Sequence, residues 1–417
     1  MSNQLLTNQV LSFETLMVLK NNLKILRNFY RDADSEFGKK GGKIGDTFYM
    51  RKPQRFIGRD GQAYQPEGLS DTQVPLTINQ QSGVDFEFSS AEKYLSIDDF
   101  RRRYLEKAGI SIANKLDLRC ALMAVQNTAN LVGTVGTTPG LSGSDSFLTY
   151  SQAGQLLVEG GFPINAGELT LALTAKAQVG WNTYSKAFFN PSSNLSSQWK
   201  TGQISNALNY QWYVDENLPT QTIGNLGGTP VVDGANQTGT TINTRGWTAS
   251  VSNLLNVGDV ISYPSIFNVN PQSRLSTGTP FSQVVQATAS SDGAGNCTLS
   301  VYPAMVPSGQ YQNCTASPAD GALISVYGVA AAGQSAIAGQ STRQMILWHP
   351  EAFAFMSFPG DVPDGVDMGS VANDPETGVS LRFVRVFDAV RDQWPCRFDV
   401  YYGASPMYPE GACRITT

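Results

Sequence analysis

The strongest constraint on the fold is a change of composition inside the chain. Of 29 Lys and Arg and 34 Asp and Glu, only Asp233, Arg245, Asp259, Arg274, Asp292 and Asp320 fall between Thr222 and Ser341. Short β-rich runs there, at 257–263, 283–288 and 297–302, are divided by Asn, Gly, Ser and Pro turns, the pattern of a small barrel or sandwich. The charged character returns at Arg343. The stretch therefore reads as a β domain inserted into a host domain with its two ends adjacent, because insertions are tolerated at surface loops.

Within the host, residues 96–133 read as one long helix. Ser96 and Asp99 have the spacing of a helix-start cap. Phe100, Tyr104, Ala108, Ile112, Leu116 and Cys120 recur every fourth residue, a stripe that drifts around the axis and meets different partners at its two ends. Arg101, Arg102 and Arg103 near its start form either a solvated face or a subunit contact. Residues 8–30 read as an amphipathic arm whose apolar side, including Leu19, Leu23 and Leu26, must lie on its own domain or on a neighbour. Residues 36–62 are glycine-rich and basic, with Lys39, Lys40, Lys43, Arg51, Lys52, Arg55 and Arg59 against Glu36, Asp46 and Asp60. Strands at 47–50 and 74–78 flank a polar loop; two strands alone are marginal in water, so this excursion calls for another surface. Further on, the expectations are a helix at 150–159, a strand at 169–174, a helix near 175–179 and a strand at 210–214. The last section carries an apolar run at 345–347, a helix at 350–356 and strands at 381–388 and 396–402. Together these describe a compact α+β host.

Little in the chain points to catalysis. His349 is the only histidine, so a two-histidine metal site in one chain is excluded and any Ser or Cys nucleophile has one possible imidazole base. Asp361, Asp364 and Asp367 lack the spacing and terminal Glu of a calcium loop, and Gly133, Gly136 and Gly140 match no nucleotide-binding fingerprint. No cofactor is expected. Five cysteines without metal-like pairs favour reduced thiols. A net charge of -5 argues against a dedicated nucleic-acid binder. The start of the chain lacks a secretory pattern, and 322–338 is too weakly apolar for a membrane span. Long projecting parts without a catalytic constellation point to assembly.

Several motifs carry a resemblance. Val257-Gly-Asp-Val-Ile-Ser-Tyr263, Val269-Asn-Pro-Gln-Ser-Arg-Leu-Ser-Thr-Gly278, Tyr302-Pro and Ser308-Gly-Gln-Tyr-Gln-Asn313 lie in the insertion. Asp374-Pro-Glu-Thr-Gly-Val-Ser-Leu-Arg382, Pro395-Cys-Arg-Phe-Asp-Val-Tyr-Tyr-Gly403 and Pro409-Glu-Gly-Ala-Cys-Arg414 follow it, and Gly202-Gln-Ile-Ser-Asn-Ala with Gln211-Trp212 precedes it. With these the chain resembles the major capsid (coat) proteins of P22-like tailed bacteriophages. The resemblance implies an α+β, HK97-like capsid fold with an inserted β-barrel-like domain. Its parts would be an N-terminal arm (1–35), an extended loop with flanking peripheral strands (36–92), a peripheral domain with the spine helix (93–150), an axial domain in two parts (151–221 and 342–417, the latter shared with the peripheral domain) and the insertion (222–341).

The function implied is a non-enzymatic shell protein of the virion, met in the host cytoplasm during assembly. Its partners would be itself in hexamers and pentamers, a scaffolding protein, a portal protein and packaged double-stranded DNA held without sequence specificity; decoration proteins are left open and no membrane is involved. Assembly contacts are assigned to Glu14, Arg51, Lys52, Arg55, Arg59, Arg101, Arg102 and Arg103, with Glu14 facing the scaffold. The family's better-known members carry a charged loop in the insertion, whereas 231–247 here is short and nearly uncharged. An encapsulin-type compartment shell and a β-rich surface-binding protein are the alternatives.

Overall fold

The computed structural model describes residues 8–31, 45–52, 55–56, 61–62, 72–89, 105–141, 144–162, 168–185 and 206–417. In chain order the elements are helix α1 (Asn8–Asn22), strands β1 (Thr47–Arg51), β2 (Gln73–Thr77) and β3 (Gln80–Ser89), helix α2 (Glu106–Asn127), strand β4 (Leu131–Val132), helix α3 (Ser146–Glu159), strand β5 (Leu169–Leu173) and helix α4 (Ala175–Ser185). Strands β6 (Asn206–Ala207), β7 (Tyr210–Val214), β8 (Thr220–Thr222), β9 (Gly228–Val232), β10 (Gly239–Trp247), β11 (Val260–Val269), β12 (Ser276–Val285), β13 (Cys297–Met305) and β14 (Ser325–Val326) follow. Helix α5 (Ala331–Ile337) and strands β15 (Ser341–Trp348), β16 (Phe353–Phe358), β17 (Met368–Asp374), β18 (Val379–Arg385), β19 (Gln393–Pro406) and β20 (Ala412–Thr416) complete the chain.

The described elements fall into two compact units. The first draws on residues 1–51, 73–121 and 353–407. Its sheet is centred on β19, which pairs along one edge with β3 and along the other with β18 and then β16, with β17 beyond β18. Phe398, Val400 and Tyr402 alternate along β19 and are all buried, as period-2 side-chain direction requires. The helix expected at 350–356 is instead a single 3-10 turn, Pro350–Ala352, followed by strand β16. Phe353 through Met356 are buried at every position and pair with Gly403–Pro406, so ladder formation in a doubly covered strand overrides local preference.

Helix α2 keeps the four-residue stripe where it is described, with Ala108, Ile112, Leu116 and Cys120 all buried. It ends at Asn127, short of the expected Gly133. There Asn127 Nδ2 donates to Met123 O (2.8 Å) and Thr128 Oγ1 to Ala124 O (2.7 Å), and the chain leaves as β4 to pair in parallel with β20. Side-chain donors at the last carbonyls are a local alternative to helix continuation. The expected start at Ser96 lies outside the described residues.

The second unit draws on residues 52–72, 122–352 and 408–417. Its host sheet runs β4-β20-β15-β5-β7-β6, with β8 also on β15. Leu169–Leu173 of β5 are buried at every position, Thr170 included, as in a strand covered on both faces. Helix α3 begins four residues before the expected Tyr150, because Asp145 caps it by accepting from Leu148 N at 3.0 Å. Helix α4 continues past Val179 to Ser185.

The stretch of sparse charge folds as a barrel-like sheet of order β14-β11-β12-β13-β10-β9. Val232 N to Ala322 O (2.9 Å) and Ile324 N to Pro230 O (3.0 Å) join β9 to the segment entering β14, nearly closing the ring. Ile242, Ile261, Tyr263, Phe281, Leu299 and Val301 fill its interior. Strands β8 and β15 pair at its base, placing Thr222 opposite Ser341. All five cysteines are free and buried.

Candidate assembly surfaces

Helix α1 lies on its own unit, against β17 and β18. Leu16, Leu19 and Leu23 are buried, and Gly109 of α2 approaches so closely that a Cβ there would meet Thr15 O at 3.0 Å. Buried Asp117 of α2 accepts from Lys24 N (2.8 Å) and Leu26 N (3.0 Å), fixing the turn that follows α1. Lys20 Nζ pairs with Glu376 at 2.5 Å and Asp374 at 3.4 Å, and Arg27 pairs with Glu376 at 2.8 Å. These contacts hold the Lys20 ammonium above its usual range, chiefly through the bond to Glu376. The opposite side of α1 exposes Phe13 (50%) and Met17 (60%), one turn apart, with Glu14 half-buried between them in sequence.

Strands β1 and β2 form the expected two-stranded arm in the register Thr47↔Thr77 to Arg51↔Gln73. Met50 and Leu76 are buried, whereas Tyr49 and Arg51 are exposed. The root is held by its own sheet: Ser405 Oγ donates to Pro75 O at 2.9 Å, and a Cβ on Gly403 would fall 2.3 Å from Thr77 O.

Lys52 and Arg55 belong to the second unit and find partners inside it. Arg55 Nη2 meets Glu410 Oε1 at 2.5 Å and its guanidinium lies 5.9 Å from the Tyr311 ring, while Lys52 Nζ lies 5.2 Å from the Tyr408 ring. Burial pushes the Lys52 ammonium down, against the pull of Glu410. Both line a cleft of about 570 Å³ with Tyr302, Tyr311 and Glu410. Arg59 and Arg101 to Arg103 lie outside the described residues.

Every charge in the insertion is used within the subunit. Arg245 bridges Asp233 (2.8 Å) and Asp320 (3.1 Å). Arg274 donates to Gly309 O and Gln310 O, and Asp292 accepts from Ala294 N and Asn296 N of its own turn. Asp259 is fully buried and accepts from Asn256 N (2.8 Å) and Gly224 N (3.0 Å). The short connection of β9 to β10 therefore has no charge held out for a neighbour.

The comparisons make the chain a phage coat protein, a structural subunit that forms a shell. It belongs to the P22 coat protein family: the profile described as "P22 coat protein - gene protein 5" matches residues 45–414. The α+β, HK97-like capsid fold with an inserted barrel-like sheet is the one the resemblance implied. The sequence matches no curated protein. Among solved structures, a chain from Mycobacterium phage Che8 is 13% identical, with 94% of this chain and 90% of that one covered at a TM-score of 0.45. The capsid of Ralstonia phage GP4 gives 8%, 94%, 88% and 0.44. A virus-like particle from Pyrococcus furiosus gives 8%, 97%, 97% and 0.37.

Proposed function

We propose that this coat protein assembles with scaffold assistance into a procapsid, which then expands into the icosahedral shell around the double-stranded DNA of a tailed phage. Family membership across residues 45–414 carries the reading. One chain occupies both hexamers and pentamers, since closed symmetry lets a single sequence satisfy its projecting elements repeatedly. The two-stranded arm, with Tyr49 and Arg51 exposed, laps a neighbouring subunit. Arg59 and Arg101 to Arg103 contribute to the same class of contact, while Arg55 stays paired with Glu410 within the subunit. Glu14, beside exposed Phe13 and Met17, meets the scaffolding protein during assembly in the host cytoplasm. A portal protein takes one vertex, and DNA is held on the inner surface without sequence specificity.

Electron microscopy of the purified chain mixed with its scaffolding protein tests this. Closed shells of uniform size are expected. Discrete small oligomers under all assembly conditions would overturn the reading.

A further inference from the structure

Arg414 of β20 is fully buried, a charged side chain among the largest in the interior. It does not face the host sheet alone. Nη1 donates to Gly258 O of the barrel at 2.6 Å, Nη2 reaches Tyr327 Oη of the barrel at 3.4 Å, and Nε and Nη2 donate to Gln344 Oε1 of β15 at 3.3 and 3.1 Å. Tyr327 Oη in turn donates to Asp259 Oδ1 at 3.3 Å. Asp259 also accepts from Gln221 Nε2 of β8 at 3.2 Å and from Gly224 N just beyond it. One buried network thus joins the strand entering the insertion, two loops of the barrel, the strand leaving the insertion and the C-terminal strand.

A second set of contacts acts with it. Ala129, Val260 and Val284 form an apolar cluster between host and barrel, joined by Leu131. Gln286 Nε2 donates to Gln126 O at 3.0 Å, and Glu159 at the end of α3 accepts from Thr279 Oγ1 (2.7 Å) and, through its carbonyl, from Asn270 Nδ2 (3.0 Å). An insertion hung on two strands needs none of this.

The geometry points to a lock: Arg414, through Tyr327 and Asp259, fixes the inserted barrel to the host sheet so that the two move as one body. A buried guanidinium left without its acceptors carries a heavy desolvation cost, so the barrel cannot tilt away without exposing it or stranding it. In the shell, a consequence that rests on the function proposed above, movement of the host sheet is carried outward to the barrel surface instead of being absorbed at the connection.

Hydrogen exchange on the full-length, unassembled chain tests the lock independently of shell formation. Arg414→Met keeps length and removes the charge. Exchange at the Gly224 and Asn256 amides, which donate to Asp259, is expected to accelerate about tenfold or more, the scale of one lost buried hydrogen bond. The Ile242 to Leu299 ladder inside the barrel and the Leu171 to Leu347 ladder of the host are expected to hold. Tyr327→Phe removes only the bridging hydroxyl and is expected to give the same pattern by a few-fold; it decides the question if Arg414→Met does not fold. Unchanged junction amides, or equal acceleration in both ladders, would overturn the proposal, the second because Arg414 would then support only the common core.

Discussion

His349 is the chain's only histidine, and its imidazole is packed against Phe162 with ring centroids 5.2 Å apart. Burial lowers its pKa, opposed by Glu351 and Glu168. The unfolded chain therefore takes up this proton at a higher pH than the folded one, so stability is greatest above the ordinary histidine value, about 6.5, and is lost as pH falls toward the depressed folded value. Replacing His349→Gln is expected to flatten the fall in Tm between about pH 7 and pH 5, because no other side chain has its unperturbed pKa there. An unchanged slope would assign that limb to carboxylates. Asp117 gives a second residue-scale expectation. Asp117→Ala leaves Lys24 N and Leu26 N without this acceptor, at a cost of ~1–3 kcal/mol in urea unfolding. The sequence offered no sign of this role, since Asp117 sits in a helical run as any solvent-facing acid would. The signal for Arg414 was present, a lone charge in Ala412–Thr416, but its acceptors at 258 and 327 are far away along the chain.

At the scale of elements, the four-residue stripe of α2 and the paired strands of the arm were legible because periodicity is local. The end of α2 was not, as it depends on a parallel partner, β20, at the far end of the chain. Residues 350–356 failed for a similar reason: Phe353, Phe355 and Met356 suit a buried strand or a buried helix, and the neighbouring β19 decides between them. The arm shows the same dependence in a testable form. Gly403→Ala would place a Cβ 2.3 Å from Thr77 O, pushing β2 away from β19. We expect a loss of ~1–3 kcal/mol in thermal unfolding from this overpacking. Wild-type stability in that variant would mean that the root of the arm is not held there.

For the whole molecule, the five buried thiols report on global integrity. Burial raises Cys314 to about 11 and Cys396 to about 12, and holds Cys120, Cys297 and Cys413 above their usual value. Little thiolate exists at neutral pH, so a thiol reagent is expected to count all five only after denaturant is added. Rapid labelling of the native chain would contradict the buried placement. For the shell, deletion of residues 51–61 is expected to abolish or destabilise particles seen by electron microscopy; normal size and stability would remove the arm from subunit locking.

The sequence by itself determined the α+β class, the presence of a charge-poor β-rich stretch that folds as a barrel-like sheet, the helical stripe and the family resemblance, because composition, periodicity and motifs are properties of short stretches of chain. Tertiary structure alone decided that α1 rests on its own unit, that Arg55 closes on Glu410 and Lys52 on the Tyr408 ring, that the insertion spends its charges internally, and that Arg414 reaches into the barrel. Most of these need residues distant in sequence to meet, and for Arg414 and Asp259 they meet in a desolvated place, where a charge must find its partner.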